Sequence, residues 1–424
     1  MADRLVISKS GPLRGTVTVH GAKNAVLPIM AACLLAEEPS IIDNVPHVAD
    51  VISMIEILRR LGVQVAFTGD RLVVTPGRYD GTVAPYDLVS RMRASICVLG
   101  PLLARHGKAQ VSMPGGCVIG PRPIDLHLKG LQALGALFTI EHGYIVGTAK
   151  ALKGARLHLS GAFGSSVLAT GNVMMAATLT KGTTIIEHAA CEPEVIDLAN
   201  FLKAMGARVE GHGGPVIRVE GVARLHGVHY RIIPDRIEAG TLMIAAAISG
   251  GDVTVNDARP DHLGAVIDKL CEANVTIEKQ NGSIRLRASK PVQAVDVTTL
   301  PFPGFPTDVQ AQMMALMAVS RGVSVLTEKV YPERFMHISE LNRMGASIAR
   351  EGSSAIVKGV ERLSGAPVTG SDLRASAALV LAGMTADNHT ELSGLEHLDR
   401  GYQNLEAQLR QLGANIRRLS QAET

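Results

Sequence analysis

The 424-residue sequence contains no tryptophan, and aromatic residues make up only 3% of it. Few side chains can therefore stack on unpaired bases, which argues against a protein that binds single-stranded nucleic acid. The net charge of +3 is also too small to indicate a surface for a polyanion. We expect no nucleic-acid partner.

Cysteine is scarce, and no two cysteines form a CxxC pair: they are Cys33, Cys97, Cys117, Cys191 and Cys271. This spacing predicts neither a disulfide framework nor a zinc site. Four of them suit packing positions, whereas Cys117 lies in a glycine and proline run. The first residues lack an apolar signal core, and no charge-free apolar run of ~18 residues occurs. We expect a cytoplasmic protein with reduced thiols and no membrane partner.

Several familiar catalytic patterns are missing. The sequence has no GxxxxGK[ST], no GxSxG, no HExxH and no paired Cys/His ligand spacing. A phosphate would therefore have to be held by lysine, arginine and helix N-termini. We predict no metal site and no cofactor.

The chain is longer than a single hydrophobic core usually supports, and 46% of it is apolar, so two domains are expected. A helix-ending pattern such as "RRLGVQV" recurs six times at intervals of 73, 71, 68, 71 and 68 residues. A glycine in the left-handed conformation closes the last turn of a helix, and asparagine is the usual substitute. The six central residues are Gly62, Gly135, Gly206, Asn274, Gly345 and Gly413.

A second series, out of phase with the first, reads as a small-residue helix, a turn and a β-branched strand, for example "MAATLTKGTTIIEHA". One unit of about 70 residues thus has two helices and several strands, and it must stack on its neighbours to bury its apolar face. Six units predict two domains of three units each. The helices that end in glycine often begin with proline or an acid, and the predicted starts include "EPEVID", "YPERFM" and "LDRGYQ". Their N-termini could therefore attract an anion to one region.

Two polar clusters lie in the first third of the chain. Lys23 and Asn24 precede a long apolar helix, where an ammonium beside a helix N-terminus favours a phosphate or carboxylate. Arg91 and Arg93 open another apolar helix, against the helix dipole. An exposed lysine and two solvated arginines remain open alternatives.

The other two clusters contain a thiol and a set of acids. Cys117 in "MPGGCVIG" is followed by Arg122, so its thiol could ionise more easily than usual, although an incidental loop cysteine stays possible. Thr307 and Asp308 begin an apolar helix, where a capping acid is the plain alternative. The second and third acids, each paired with an arginine beside a helix start, are in "DLR" at 372–374 and "DR" at 399–400.

The combination "GAKNA", "MRAS", "PGGCVIGPRPIDLH", "EPEVID", "FPTDVQAQ", "RFMHISEL", "DLRASAALVLAG" and "DRGY" resembles the UDP-N-acetylglucosamine enolpyruvyltransferase (1-carboxyvinyltransferase) family. The resemblance extends in order from about residue 4 to 419 without a large insertion. The cysteine loop separates this family from the 3-phosphoshikimate enolpyruvyltransferases, which share the fold. The resemblance implies an α/β fold, an inside-out α/β barrel of two domains, each built from three pseudo-symmetric units, with the active site in the interdomain cleft. It places the domains at 1–21 plus 232–424 and at 22–231.

The implied reaction transfers the enolpyruvyl group of phosphoenolpyruvate to the 3′-hydroxyl of UDP-N-acetylglucosamine. Phosphate leaves through a tetrahedral ketal, in the first committed step of peptidoglycan synthesis. Two other hypotheses remain: transfer to a shikimate-type acceptor, and a non-catalytic paralogue that binds the nucleotide sugar. The resemblance also implies covalent inhibition by fosfomycin at Cys117. A monomer is plausible, but the sequence does not determine the oligomeric state.

The resemblance assigns roles residue by residue. Asp308 would orient or deprotonate the hydroxyl, Cys117 would be the acid to C3 of phosphoenolpyruvate, and Asp372 would lie near the reacting carbons. The cations and amide expected around phosphoenolpyruvate and its phosphate are Lys23, Asn24, Arg93, Arg122, Arg374 and Arg400. The residues expected around the nucleotide sugar are Asn24, Arg93, Arg122, Pro123, Asp125, Leu126, Ser166, Val167, Thr307, Asp308, Val330 and Tyr331. The sequence departs from the family pattern around 160–172, where "SVLAT" at 166–170 replaces the usual "Ser-Val-Gly-Ala-Thr".

Overall fold

A computed structural model describes residues 3–77, 81–90, 92–113 and 124–420. The expected site residues Cys117, Arg122 and Pro123 lie outside the described residues. Helices and strands alternate throughout, as expected for a mixed α/β protein.

The strands are short, mostly of five residues or fewer. In chain order they are β1 (Arg4–Ser8), β2 (Arg14–Thr18), β3 (Ser40–Asp43), β4 (Gln64–Thr68), β5 (Arg71–Thr75), β6 (Val83–Ala84), β7 (Lys108–Ser112), β8 (Leu137–Glu141), β9 (Tyr144–Thr148), β10 (Arg156–His158), β11 (Ser160–Gly161), β12 (Gly164–Ser165), β13 (Thr183–Glu187), β14 (Arg208–Glu210), β15 (Val216–Glu220), β16 (His229–Arg231), β17 (Asp252–Asn256), β18 (Thr276–Gln280), β19 (Ser283–Arg287), β20 (Val297–Thr299), β21 (Val323–Glu328), β22 (Ser347–Glu351), β23 (Ser354–Lys358), β24 (Pro367–Thr369), β25 (His389–Ser393) and β26 (Asn415–Leu419).

The α-helices are α1 (Lys23–Ala32), α2 (Ala49–Arg60), α3 (Tyr86–Val89), α4 (Leu99–His106), α5 (Asp125–Ala133), α6 (Val167–Ala177), α7 (Pro193–Ala204), α8 (Arg236–Ser249), α9 (Gly264–Glu272), α10 (Thr307–Met317), α11 (His337–Arg343), α12 (Leu373–Gly383), α13 (Leu395–Leu398) and α14 (Leu405–Gln411). Three 3-10 helices are present in the described residues, at Cys33–Leu35, Arg93–Val98 and Pro260–His262.

One strand order recurs in six four-stranded sheets of the described chain. The orders are β16-β3-β5-β4, β6-β7-β9-β8, β10-β13-β15-β14, β2-β17-β19-β18, β20-β21-β23-β22 and β24-β25-β1-β26. In each sheet the first pair is parallel and the other two pairs are antiparallel. A parallel pair needs a crossover, which a helix supplies, and an antiparallel pair needs only a hairpin. In four sheets a helical crossover joins the parallel pair, whereas β16-β3 and β2-β17 pair strands that are far apart in the chain. Five sheets contain a hairpin, and in the sixth β1 pairs with β26 from the other end of the chain.

The predicted helix ends are confirmed at all six repeat positions. Each of these residues has a positive φ, from 66° at Asn274 to 103° at Gly135. Each lies two residues after the last helical residue, as at Arg60 and Gly62 in α2. The left-handed conformation ends the helix and turns the chain into the strand that follows.

Three predicted helix starts are wrong by several residues. The "DRGYQ" stretch follows the short helix α13, and α14 begins only at Leu405, after Asn404 with φ of 53°. The "YPERFM" stretch forms turns, and α11 begins at His337. Arg93 opens a 3-10 helix that continues into α4 instead of starting an α-helix. In these places tertiary packing and turn geometry override a plausible start signal.

The small-residue helices are buried on nearly all sides. In α8 every residue after Arg236 is buried, and α10 and α12 are similar. A helix that is apolar all round belongs in a core, and these three helices pack against one another. On strand β21 the alternate residues Ser324, Leu326 and Glu328 are buried, because one face of the strand lies against α10. That alternation places a carboxylate, Glu328, inside the core at the strand end.

The contacts of the chain cluster into two compact units, each with its own hydrophobic core. Among the described residues the first unit contains 3–20 and 234–420, and the second contains 21–77, 81–90, 92–113 and 124–233. We call them unit 1 and unit 2.

Paired backbone segments mark the points where the chain changes unit. The Ala22 N–H donates to the Ile233 carbonyl within unit 2, and the Asp235 N–H donates to the His20 carbonyl within unit 1, each at 2.8 Å. A Cβ atom at Gly21 would lie 1.7 Å from the carbonyl oxygen of Asn44. Only glycine therefore fits at this crossing.

The cysteine expectations are only partly right. Cys33 and Cys97 are buried in the core of unit 2, and burial raises the pKa of each thiol to about 12. Cys191 is half-buried, whereas Cys271 is exposed on α9 and does not pack as expected. No helix of the described residues is both long and apolar enough to cross a membrane.

Candidate active site

Asp308 lies in the first turn of α10 but does not cap it. The residue before the helix is Pro306, and no side chain caps this end. One carboxylate oxygen of Asp308 accepts a hydrogen bond from Arg334 Nη1 at 2.7 Å, and the other accepts from Arg374 Nη2 at 3.3 Å. The Asp308 side chain is 27% exposed, so it can still be reached. The capping alternative is wrong, and Asp308 is a carboxylate held by two guanidinium groups.

Arg334 is the central cation of this cluster. Its side chain is buried, and Nη1 also donates to Thr307 Oγ1 at 3.1 Å. Its Nη2 lies 4.0 Å from an oxygen of Asp372. Burial opposes the charge, but the carboxylates of Asp308 and Asp372 outweigh it, so the pKa of Arg334 is raised above its ordinary value. Arg334 is therefore permanently charged and fixes two acids at once.

Glu328 organises the backbone beside Asp308. It is fully buried at the end of β21. One of its oxygens accepts from Thr299 Oγ1 at 2.6 Å and from the N–H groups of Val330 and Tyr331 at 2.8 and 2.9 Å. The other accepts from Thr307 Oγ1 at 2.9 Å. Three of the expected sugar-binding residues are thus positioned by one carboxylate that sequence reasoning missed.

Asp372 and Arg374 lie together at the start of α12. An Asp372 oxygen accepts from the N–H of Arg374 at 2.7 Å and from that of Ala375 at 3.2 Å, so Asp372 caps the helix. Arg374 is buried with its guanidinium over the ring of Tyr402, 5.1 Å from the centroid. Burial opposes its charge, but Tyr402 and Asp308 hold the pKa of Arg374 well above its ordinary value. Its Nε and Nη1 have no hydrogen-bond partner among the described residues.

A buried histidine, His337, adjoins the same cluster. Burial lowers its pKa to about 4, and the positive charge of Arg334 acts in the same direction, against the opposing effect of Asp372. Neither ring nitrogen has a hydrogen-bond partner in the described part of the chain. The ring is therefore neutral at neutral pH and adds no charge to the cluster. The "RFMHISEL" motif contains His337, but the sequence alone predicts no role for this residue.

In unit 2, Lys23 is the first residue of α1, and its neighbour Asn24 follows. The Lys23 Nζ atom lies 2.8 Å from Asp50, an acid in the first turn of α2. Both side chains are largely buried, at 12% and 4% exposure. Lys23 is therefore not a solvated lysine, and its ammonium is held beside the first turn of α2. The sequence did not single out Asp50, because an acid in the first turn of a helix is common.

Arg93, at the start of its 3-10 helix, lies near a buried histidine network. Burial and the positive charge of Arg93 lower the pKa of His127 to about 3. The amide of Asn172 donates to His127 Nδ1 at 3.1 Å and to the Ile96 carbonyl at 3.0 Å, while its oxygen accepts from the Gly100 N–H at 2.7 Å. His127 is thus neutral with its proton on Nε2. The network ties α5, α6 and the Arg93 helix together.

Other expected residues also lie at helix starts. Asp125 and Leu126 are the first two residues of α5. Ser166 is the residue before α6, and its side chain accepts from the Ala169 N–H at 3.3 Å. Val167 is the first residue of that helix. Helix N-termini at these places suit an anionic ligand.

Arg400 is half-buried in the turn after α13. Its neighbour Asp399 makes a two-pronged ion pair with Arg418, at 2.7 and 2.9 Å. The acid of the "DR" motif is therefore used within the fold. No group of three or more His, Cys, Asp or Glu residues in the described ranges could hold a metal ion.

The chemistry of the unit 1 cluster follows from its charges. A reachable carboxylate between two buried guanidinium groups can accept a proton or orient a hydroxyl, and the guanidinium donors can hold a carboxylate or phosphate. Fixed cations in a site of low polarity also stabilise negative charge that develops during a reaction. The arrangement suits the activation of a hydroxyl beside an anionic substrate.

Solved structures of known class resemble this one. The enolpyruvyl transferase NikO from Streptomyces tendae has a TM-score of 0.89 at 25% identity, with 99% of this chain and 100% of that one covered. EPSP synthase from Acinetobacter baumannii has a TM-score of 0.75 at 18% identity, with 98% and 100% covered, which is a likeness of fold alone. The family model of EPSP synthase (3-phosphoshikimate 1-carboxyvinyltransferase) matches residues 7–409. The fold is thus that of enolpyruvyl transferases.

Two curated relatives make the family assignment more specific. UDP-N-acetylglucosamine 1-carboxyvinyltransferase 1 of Caldanaerobacter subterraneus subsp. tengcongensis is 52% identical, with 99% of this chain and 100% of the relative covered. UDP-N-acetylglucosamine 1-carboxyvinyltransferase of Methylacidiphilum infernorum is 50% identical, with 98% and 99% covered. The chain therefore belongs to the UDP-N-acetylglucosamine 1-carboxyvinyltransferase family of transferases, as its sequence motifs predicted.

Proposed function

We propose that the protein transfers the enolpyruvyl group of phosphoenolpyruvate to the 3′-hydroxyl of UDP-N-acetylglucosamine, with release of phosphate, and that it serves peptidoglycan synthesis. The observation that carries this proposal is the Asp308 carboxylate, reachable and held by the buried guanidinium groups of Arg334 and Arg374. Relatives of that name, similar over the whole chain, support the choice of acceptor.

The first step is addition. Asp308 orients the sugar hydroxyl and takes its proton, and the hydroxyl oxygen forms a bond to C2 of phosphoenolpyruvate. A proton from the Cys117 thiol goes to C3, which yields the tetrahedral ketal. In the second step the thiolate left on Cys117 takes a proton back from C3, the C2–O bond to phosphate breaks, and the enol ether forms. Proton transfers of this kind need groups fixed within hydrogen-bond reach, which Arg334 provides for Asp308.

The cations hold the two anionic ends of phosphoenolpyruvate. Lys23, Arg93, Arg122, Arg374 and Arg400 supply these charges. The unused donors of buried Arg374 support this role, because a buried guanidinium gains most from an anionic partner. Asp372, 4.0 Å from Arg334, adjoins the same place and acts near the reacting carbons.

The nucleotide sugar contacts both units. Its proposed residues are Asn24, Arg93, Arg122, Pro123, Asp125, Leu126, Ser166 and Val167 of the 22–231 domain, and Thr307, Asp308, Val330 and Tyr331 of the other. Glu328 supports the second set, since it fixes Thr307 and the backbone of Val330 and Tyr331. Fosfomycin would alkylate Cys117.

The domain arrangement is part of the proposal. Each domain is an inside-out barrel of three pseudo-symmetric units, with the substrates bound between the two domains. Six sheets of one strand order among the described residues support the repeated unit. The chain changes unit at 20/21 and 233/234, close to the proposed boundaries at 21/22 and 231/232.

An acceptor swap tests the function. The protein is incubated with phosphoenolpyruvate and either UDP-N-acetylglucosamine or shikimate 3-phosphate, and inorganic phosphate and product mass are followed. We expect phosphate and an enolpyruvyl ether only with the nucleotide sugar. If phosphate were released with shikimate 3-phosphate but not with the nucleotide sugar, the proposed acceptor would be wrong. Ligand binding without any phosphate release would indicate a non-catalytic paralogue.

A further inference from the structure

Three polar side chains in the core of unit 1 lie next to the guanidinium of Arg374. They are Thr241 of α8, Gln312 of α10 and Tyr402, which follows α13, and each is at most 2% exposed. The ring of Tyr402 faces the Arg374 guanidinium, with Cζ 5.1 Å from the ring centroid. We call these three side chains the Tyr402 network. It connects a buried cation of the candidate active site to two of the central helices.

Hydrogen bonds join the three members to one another. The Tyr402 hydroxyl lies 2.8 Å from Thr241 Oγ1. Gln312 Nε2 donates to the Tyr402 hydroxyl at 3.1 Å and to Thr241 Oγ1 at 3.0 Å. It also lies 3.0 Å from the backbone carbonyl of Asp308, one turn earlier in α10. Buried polar groups are costly unless they are bonded, so these contacts restrain the phenol.

The direction of each hydrogen bond follows from the carbonyl groups around the network. A carbonyl oxygen only accepts, so the Thr241 hydroxyl donates to the Ile237 carbonyl at 2.9 Å, and the Gln312 amide turns its nitrogen to the Asp308 carbonyl. Thr241 Oγ1 must then accept from the Tyr402 hydroxyl. Burial raises the pKa of Tyr402 above its ordinary value, so the phenol keeps the proton that it donates. The ring therefore cannot shift without breaking these bonds.

The Tyr402 ring restrains one face of the Arg374 guanidinium. The face of an aromatic ring attracts a cation, most strongly where both are removed from water, and Arg374 is only 2% exposed. One edge of the guanidinium is also held, because Nη2 donates to Asp308 at 3.3 Å. Nε and Nη1 have no hydrogen-bond partner among the described residues. The two restraints thus leave Arg374 with two donors for an anion.

A purely structural role explains the network less well. Buried polar groups can often be replaced by well-packed apolar residues without loss of stability. Near the other end of α8, Ser249 shows what a structural hydroxyl does: it donates to the Ala246 carbonyl at 3.0 Å and accepts from the Leu13 N–H at 3.1 Å. Both of these bonds are to the backbone. The Tyr402 network instead leads to a charged side chain that has unused donors.

We propose that Tyr402 is a positioning residue for Arg374, and that its ring, anchored by Thr241 and Gln312, keeps the Arg374 donors in place for the anion of phosphoenolpyruvate. This role rests on the proposed function, in which Arg374 holds that substrate. Tyr402 acts through Arg374 and does not itself touch the reacting atoms. Misplacement of a binding group by about 1 Å can cost on the order of 100-fold in rate, so the restraint has a measurable effect.

Steady-state kinetics of phosphate release test the proposal. Tyr402→Leu removes the ring and should raise KM for phosphoenolpyruvate at least tenfold. Tyr402→Phe keeps the ring but loses its anchor, so the rise should be smaller, about threefold. KM for UDP-N-acetylglucosamine should change less than twofold in both variants. General damage to the fold would instead raise both KM values.

A second pair of variants tests the anchor without changing the ring. Thr241→Val keeps the shape of the side chain but removes the acceptor for Tyr402, so it should match Tyr402→Phe. Its control, Ser249→Ala, removes two hydrogen bonds from the same helix and should leave both KM values unchanged. An unchanged KM for phosphoenolpyruvate in Thr241→Val, an equal rise in Ser249→Ala, or an equal rise in both KM values would overturn the proposal. This pair decides the matter if Tyr402→Leu does not fold.

Crystal structures of the variants separate this proposal from the proposed function. In Tyr402→Leu we expect Arg374 Cζ to move by about 1 Å or more from its place beside Asp308, and in Ser249→Ala we expect it to stay. An unmoved guanidinium in Tyr402→Leu would overturn the positioning role, even in a protein without activity. If Arg374 moved but the unaltered protein released no phosphate with any acceptor, only the proposed function would be refuted.

Discussion

Replacement of Arg334 by glutamine tests the role of the central cation. In the structure Arg334 makes two hydrogen bonds, to Asp308 at 2.7 Å and to Thr307 at 3.1 Å, from a side chain that is 6% exposed. A hydrogen bond to a charged group contributes about 1.5–3 kcal/mol, and loss of one partner of a buried ion pair costs about 3–5 kcal/mol. Because Asp308 is partly exposed, we take the lower end of the range for a buried ion pair, so the variant should lose about 3 kcal/mol of stability.

The expected loss of stability can be measured by thermal unfolding. Unit 1 has roughly 200 residues, for which 1 kcal/mol corresponds to about 2–4 °C, so its Tm should fall by about 6–12 °C. A matched control is Arg285→Gln, since Arg285 of unit 1 pairs with Asp252 at 2.9 Å and both side chains are 40% exposed. An exposed pair contributes at most about 1 kcal/mol, so this variant should shift Tm by only a few degrees.

Phosphate release tests whether Arg334 also positions Asp308 for catalysis. We expect kcat to fall at least tenfold in Arg334→Gln, with KM for the nucleotide sugar changed much less, because a misplaced base slows the step without removing binding contacts. The double variant with Asp308→Asn should be less than additive in stability, since the two residues share one contact. Full additivity together with an unchanged kcat would refute the reasoning.

Four further results are expected. Cys117→Ser should nearly abolish turnover, and mass spectrometry should detect almost no fosfomycin adduct on this variant. Cys117→Asp should retain activity and resist fosfomycin. Normal turnover of the serine variant would show that Cys117 is not the acid. Asp308→Ala should abolish phosphate release while UDP-N-acetylglucosamine still binds in calorimetry, and loss of binding would make Asp308 structural. Gly21→Ala should lower Tm strongly, because its Cβ meets the Asn44 carbonyl at 1.7 Å; an unchanged Tm would contradict the close approach. His127, with a pKa of about 3 when folded, binds its proton mainly in the unfolded chain below pH 6.5. Stability should thus decrease by about 2 kcal/mol from pH 7 to pH 5 on its account, and His127→Gln should lessen that dependence in denaturant titrations.

The repeated helix ends could be predicted because their cause is local. A residue in the left-handed conformation two positions after a helix requires glycine or asparagine, and the sequence supplies one at each of the six places, as at Gly206 and Asn274. The family could be predicted for a related reason. Its motifs, such as the stretch around Asp372 and Arg374, are contiguous in sequence.

The contacts that hold the site could not be predicted in the same way. Arg334 and Asp308 are 26 residues apart, and Glu328 and Thr299 are 29 apart, so no local pattern joins them. The signal that existed was a charged residue at the end of an apolar strand, in "SVLTE". Such a residue is either exposed or buried with partners, and burial depends on the packing of α10 against β21.

Helix starts were the least predictable local feature. Proline and an acid permit a helix to begin, but they do not require it, and "YPERFM" instead forms the turn that brings Arg334 to Asp308. His337, the first residue of α11, is buried. The site thus depends on turns whose ends are decided by tertiary contacts.

A crystal structure of the Asp308→Asn protein with phosphoenolpyruvate and UDP-N-acetylglucosamine tests most directly whether residues of both units act on one substrate pair. We expect the sugar 3′-hydroxyl within hydrogen-bond distance of residue 308, and the phosphoenolpyruvate phosphate in contact with both Lys23 and Arg374. Substrates bound entirely within one unit, with Lys23 or Arg374 far from them, would contradict the account.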